Sequence, residues 1–259
     1  MSSIQVVVHA SAKLLADAAA ARLITRVVDI QSARGFASIV LTGGSTGIAV
    51  LEAIKSTPAR GAIDWKRLDI WWGDERYVEA ASKDRNDIQA FDALLDSVPV
   101  EPDRVHRFPA SDGEFGDDAE SAAEWYAEEL VRATKPEDHG QTPHFDVLMS
   151  GLGEEGHTAS IFPESPAAYD ERMVCAVRNC PKPPPTRLTM TFQALSRAAE
   201  VWMMATDAGK AAAVGMALRG AGPVQLPAAG PQGSSRTLWL LDSAAAADVP
   251  KELIRLPIS

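Results

Sequence analysis

The chain has 259 residues, of which 46% are hydrophobic and 23% charged, so it is long enough to bury one sizeable core. Its 25 basic and 35 acidic residues give a formal charge of −10, which disfavours binding to nucleic acid or acidic membranes. The sequence contains neither an apolar run of membrane-spanning length nor the basic and apolar regions of a secretory signal. We therefore expect a cytoplasmic protein with no nucleic-acid or membrane partner, whose oligomeric state the sequence does not indicate.

Two cysteines are too few for a disulfide framework, so Cys175 and Cys180 are expected to be reduced thiols. A zinc site formed by these cysteines with His139 and His144 is a weaker alternative, because neither pair has the close spacing of known zinc ligands.

Apolar runs and helical periodicity predict alternating strands and helices. In the first half they are a strand at 4–9, a helix at 10–33, a strand at 36–41, a helix around 48–54, a strand at 68–72, a polar loop at 73–85, a helix from Asn86, and a short strand at 105–108. In the second half they are an acidic amphipathic helix at 117–135, strands at 145–149, 173–177, 187–191 and 201–205, a helix from about 207, and a strand at 237–241.

Regular alternation of strands and helices is typical of an α/β fold. We expect a mainly parallel, Rossmann-like sheet with helices on both faces. The 259 residues are expected to form a single domain, with room for a small appended subdomain.

A glycine turn joins the second strand to the helix behind it, through Gly43, Gly44, Ser45 and Thr46. Successive backbone N–H groups at a helix N-terminus, with two hydroxyl groups, favour a phosphate-binding loop. The same residues fit a G-x-S-x-G nucleophile elbow, in which Ser45 would attack and His157 would be its base. This alternative is weaker, because an elbow normally follows several strands and this one follows only the second.

His157 stands at the end of a second glycine-rich turn, after the strand at 145–149. Its near-neutral intrinsic pKa suits a general base. Residues 151–156 also fit the G-x-G-x-x-G dinucleotide fingerprint, but Pro163 and Pro166 interrupt the long helix that a dinucleotide site needs. Glu154 and Glu155 would in addition repel phosphates, so we do not expect NAD binding.

A charged segment, Asp74-Glu75-Arg76, follows the strand at 68–72 and should lie in the same crevice as the glycine turns. The alternative is a solvated turn with a local ion pair. Three glycine-containing loops at strand ends favour the functional interpretation.

The motifs at 41–46, 72–76, 149–163 and 209–211 together resemble the 6-phosphogluconolactonase branch of the sugar-phosphate isomerase and lactonase superfamily, in order and over nearly the whole chain. The resemblance implies hydrolysis of 6-phospho-D-glucono-1,5-lactone to 6-phosphogluconate, in the oxidative pentose phosphate pathway, without a metal or organic cofactor. It also implies that His157 is the base that activates water.

The resemblance assigns further residues to the site. Asp74 and Arg76 match its active-site aspartate and arginine, and Asn86 matches a substrate-side asparagine, although the preceding Arg85 departs from the usual small residue. Arg187, after a proline-rich segment, and Lys210, in the first turn of a helix, fit ligands of the substrate phosphate.

The related aminosugar-phosphate isomerases carry an aspartate two residues before the histidine and a glutamate five residues after it. Here these positions are Glu155 and Phe162, and Arg76 replaces an isomerase tyrosine. Phe162 and Arg76 favour a lactonase, whereas Glu155 departs from both branches. A sugar-phosphate sensor without catalysis is the non-enzymatic alternative, but a sensor would not need His157.

Overall fold

The computed structural model describes residues 3–138 and 140–254. Its strands are β1 (Ser3–His9), β2 (Ala37–Leu41), β3 (Leu68–Trp72), β4 (Asp74–Arg76), β5 (Phe145–Gly151), β6 (Val174–Val177), β7 (Arg187–Met190), β8 (Ala198–Ala205) and β9 (Arg236–Asp242). Its α-helices are α1 (Ala12–Arg34), α2 (Gly44–Ser56), α3 (Asn86–Ala93), α4 (Ala119–Ala133), α5 (Phe192–Leu195) and α6 (Ala211–Leu218).

Six strands form one parallel sheet in the order β1-β9-β8-β5-β2-β3. The interior strands β2, β5 and β8 are buried along almost their whole length. Near-continuous apolar runs of this kind are expected where helices cover both faces of a parallel sheet. The predicted α/β fold is confirmed.

The two faces of the sheet are covered by different helices. On one face Leu23 of α1 and Leu51 of α2 pack around Ile70 of β3. On the other face Tyr126 of α4 meets Trp71 edge-on, with ring centroids 6.0 Å apart. Since successive side chains of a strand point to opposite faces, neighbouring residues of β3 contact both helical layers.

A second sheet of three antiparallel strands, in the order β4-β7-β6, adjoins the first. The prediction of a loop over the whole of 73–85 was therefore wrong, since residues 74–76 form a strand. Three charged residues give no strand pattern of their own, and their partner β7 lies more than a hundred residues further along the chain. The register places Asp74 opposite Thr189 and Arg76 opposite Arg187.

The predicted strand at 105–108 is also wrong. Val105 makes only an isolated bridge to Ile70. The chain then turns into the core, where His106 stacks on Trp71 and Phe108 stacks on Tyr126, each with ring centroids 3.6 Å apart. Aromatic packing replaces strand pairing there.

No helix among the described residues is long and apolar enough to cross a membrane. Cys175 and Cys180 are buried and not joined by a disulfide. Within 3–138 and 140–254, no three histidine, cysteine or acidic side chains lie close enough together to hold a metal. His139, one member of the alternative zinc site, lies outside the described residues.

Candidate active site

A crevice opens between the carboxyl ends of β2 and β5. The chain continues from β2 to β3 on one side and from β5 to β8 on the other, which is the switch point where open α/β sheets bind ligands. A cavity of about 120 Å³ lies there. Its walls include every site residue predicted from the sequence: Gly43, Gly44, Ser45, Thr46, Asp74, Arg76, Asn86, His157, Arg187 and Lys210.

The first wall is the glycine turn at the start of α2. Gly44 has φ +80°, a left-handed conformation that favours glycine, and Gly43 precedes the helix without a side-chain cap. The N–H groups of the first turn are therefore available to an anion. Thr46 is held by a hydroxyl contact of 3.1 Å with Thr206. A Cβ atom on Gly43 would overlap Asn86 Oδ1, so only glycine allows this close approach.

Ser45 lies in the first turn of α2 and is exposed. Across the described residues, no hydrogen bond joins its hydroxyl to His157, whose Nδ1 is bonded to Glu155 instead. A nucleophile elbow requires a serine that its base can deprotonate. The geometry therefore favours the anion-binding interpretation of this turn.

His157 is held by the turn that precedes it. The N–H of Gly153 donates to the His157 carbonyl at 3.0 Å, and Gly156 turns the chain with φ +89°. The imidazole lies so close to Gly153 that a Cβ atom there would overlap it. Phe162 stacks on the ring, with centroids 4.6 Å apart and planes inclined by 28°. The ring is thereby fixed at the cavity wall.

The contact with Glu155 determines which nitrogen of His157 is basic. Nδ1 lies 3.0 Å from Glu155 Oε1, and a carboxylate oxygen only accepts, so Nδ1 carries the proton and Nε2 is the basic nitrogen. Burial lowers the pKa of His157, while the charge of Glu155 opposes that shift. The imidazole is therefore neutral at neutral pH, as a general base must be.

Asp74 is oriented by two side chains. Ser160 Oγ donates to Asp74 Oδ2 at 2.6 Å, and Asn86 Nδ2 donates to the Asp74 carbonyl at 2.9 Å. Ser160 is completely buried and was not among the predicted site residues. Nothing in the sequence distinguishes it from a serine that merely caps the turn after His157.

Glu75 connects β4 to the start of α3 through hydrogen bonds to its carboxyl group. Its Oε1 accepts the N–H groups of Arg76 and Asn86 at 2.8 and 2.6 Å, and its Oε2 accepts that of Asp87 at 2.9 Å. Burial and the charge of Asp87 raise the pKa of Glu75 to about 8, against the opposing effects of Arg85 and of the Asn86 and Asp87 N–H groups. Two residues at the cavity, Arg76 and Asn86, are thus positioned by one buried carboxyl group.

Arg85, which departs from the usual small residue, stabilises the start of α3. Its buried guanidinium binds both carboxylate oxygens of Asp87, at 2.9 and 3.0 Å, and donates to the Phe108 carbonyl at 2.7 Å. A bidentate pair of this kind fixes the geometry of both partners. Arg85 therefore anchors the first turn of α3, on which Asn86 lies.

Most N–H donors of Arg187 are used within the chain. Its Nη2 donates to the carbonyls of Lys182 and Pro183, at 3.0 and 3.3 Å, and its Nε donates to that of Pro184 at 3.3 Å. Nη1 lies 3.5 Å from Ser160 Oγ. Arg187 thus holds the proline-rich segment as well as lining the cavity, whereas Lys210 lines the cavity from the turn before α6.

The segment after Gly156 does not form the helix that a dinucleotide site requires. Residues 152–165 form turns with one bridge between Thr158 and Ile161. The fit of 151–156 to the dinucleotide fingerprint is therefore accidental.

Residues 10–239 match the family model of glucosamine-6-phosphate isomerases/6-phosphogluconolactonase. A 6-phosphogluconolactonase of Streptomyces coelicolor is 55% identical over 250 residues, covering 96% of each chain. That of Mycobacterium tuberculosis is 46% identical, covering 92% of this chain and 95% of its own.

Solved structures share the fold. The 6-phosphogluconolactonase of Trypanosoma brucei superimposes with a TM-score of 0.81 at 28% identity, covering 96% of this chain and all of the other. A monomeric glucosamine-6-phosphate deaminase, at 18% identity, has a TM-score of 0.75, covers 94% of this chain and 99% of its own, and is similar in fold alone. This chain therefore belongs to the family of glucosamine-6-phosphate isomerases and 6-phosphogluconolactonases, in its lactonase branch.

Proposed function

We propose that this chain hydrolyses 6-phospho-D-glucono-1,5-lactone to 6-phosphogluconate, a step of the oxidative pentose phosphate pathway, with His157 as general base. The observation that carries the proposal is that His157, Asp74 and Arg76 line the same cavity as the glycine turn at the start of α2. The relatives that match over nearly the whole chain are 6-phosphogluconolactonases, which supports the same reaction.

The chemistry follows from the orientation of His157. Its Nε2 accepts a proton from water as the water oxygen bonds to the lactone carbonyl carbon, giving a tetrahedral oxyanion. That intermediate collapses as the bond to the ring oxygen breaks, and the ring oxygen takes the proton from the imidazolium. The Glu155 carboxylate accepts the hydrogen bond from Nδ1–H throughout and stabilises the imidazolium. Glu155 therefore orients the imidazole from a position where both branches of the superfamily usually carry an aspartate.

Binding of the substrate phosphate must overcome the net negative charge of the chain. The N–H groups at the start of α2, with Lys210, supply the local positive potential. Arg187, at the start of β7, adds its positive charge to the cavity, although most of its N–H groups already donate to backbone carbonyls.

Phe162 separates lactonase from isomerase chemistry at this site. It stands where the isomerases carry the glutamate that assists ring opening, and it packs against the His157 ring. A phenyl ring transfers no proton. The test is to assay the purified protein with both substrates: we expect lactone hydrolysis above the spontaneous rate and no release of ammonia from glucosamine 6-phosphate. Ammonia release at a comparable rate would overturn the proposal.

Replacing Lys210 with alanine is expected to weaken inhibition by 6-phosphogluconate by about 10- to 150-fold, because the variant lacks one charged donor to the phosphate. The inhibition constant should be compared with that of Lys66→Ala, which removes an exposed lysine paired with Glu101 far from the cavity. Equal inhibition of both variants and the parent protein would place the phosphate elsewhere.

A further inference from the structure

Lys182 links two parts of the candidate site. Its Nζ lies 2.9 Å from Glu155 Oε2, while the other oxygen of that carboxylate faces His157 Nδ1 at 3.0 Å. The backbone carbonyl of Lys182 accepts from Arg187 Nη2 at 3.0 Å. One residue thus contacts both the partner of the proposed base and a cation at the cavity.

The loop that carries Lys182 is restrained. The N–H of Cys180 donates to the Pro185 carbonyl at 2.9 Å and closes the loop. Three consecutive prolines, 183–185, limit its backbone further, because each fixes its own φ. An ion pair between half-exposed groups is ordinarily weak, partly because it must immobilise two long side chains. Because the backbone at Lys182 is already restrained, forming the ion pair with Glu155 costs less conformational entropy.

Several charges face His157. Glu155 and Asp74 favour its protonation, whereas Lys182 and burial disfavour it. Arg76, Arg187 and Lys210 line the same cavity. Lys182 differs from these three cations because it binds the carboxylate that orients the imidazole.

We infer that Lys182 is a positioning residue, which holds the Glu155 carboxylate against His157 Nδ1 and so keeps Nε2 directed at the cavity. This inference rests on the proposed function of His157 as the base. Without the lysine, Glu155 is free to turn toward water and the imidazole loses its fixed orientation.

The test is Lys182→Met, which keeps most of the aliphatic stem and removes the charge. Titration of the His157 ring by NMR should give a pKa lower than in the parent protein by roughly half a unit, because the released Glu155 carboxylate no longer stabilises the imidazolium. Loss of the lysine charge alone, with Glu155 still in place, would instead raise this pKa. The acid limb of the kcat/KM profile should move to lower pH by the same amount, since this limb reports the free base. The His157 signal is identified by its absence from His157→Ala.

Two controls separate this role from other effects. Lys182→Arg should restore the parent titration, and Lys66→Met should leave it unchanged. If Lys182→Met titrates like the parent or with a raised pKa, or if it only weakens inhibition by 6-phosphogluconate, the positioning role is wrong. Because the NMR titration is measured without substrate, failure of lactone hydrolysis would overturn only the proposed function.

Discussion

Replacing His157 with alanine is expected to lower kcat for the lactone by about 10²- to 10⁴-fold, the usual contribution of a positioned general base. The reason is that Nε2 is the basic atom fixed at the cavity wall by Glu155, Gly153 and Phe162. Inhibition by 6-phosphogluconate should change little, because the proposed phosphate ligands remain in place. Initial rates, corrected for spontaneous hydrolysis, and inhibition constants provide the two measurements.

A matched control is His144→Ala. His144 lines a groove with Asp69 and Trp71, away from the candidate cavity, so its loss should leave kcat unchanged. Nearly full turnover by His157→Ala would show that the imidazole takes no part in the chemistry. Loss of turnover by both variants would point instead to a general loss of folding, which thermal unfolding of each protein would reveal.

The main sheet was predictable because its strands are buried on both faces and so appear as plain apolar runs, such as Phe145–Gly151. The short strand at 74–76 was not predictable, because its polar residues pair only with the distant β7. The prediction of a strand at 105–108 failed for a different reason: His106 and Phe108 stack on aromatic rings, and the segment does not pair as a strand.

Glycine-framed segments at strand ends were the signal that located the candidate site. The residues that position those segments carry no such signal, because their partners come from distant parts of the chain. Ser160 contacts Asp74, and Lys182 contacts Glu155, only after the two sheets have come together. Motifs therefore identified the residues that line the cavity, whereas the hydrogen bonds that orient them required the folded structure.

Gly43→Ala is expected to lower kcat/KM by about 10²-fold, the size of effect that a displacement near 1 Å produces in an active site. The new Cβ atom would overlap Asn86 Oδ1, which forces Asn86 away from the glycine turn and from the Asp74 carbonyl that it binds. Gly61→Ala is a suitable control, because a Cβ atom there meets nothing within 4 Å. Its kcat/KM should match that of the parent protein.

A double-mutant cycle tests whether displacement of Asn86 is the cause. If Gly43→Ala acts by moving that side chain, it should cost little in an Asn86→Ala background, since the overlapping atom has already been removed. Expressed as free energies of activation, the sum of the losses from the two single substitutions would then exceed the loss from the double substitution. Full additivity would mean that Gly43 serves the anion-binding backbone alone and that its closeness to Asn86 has no part in catalysis.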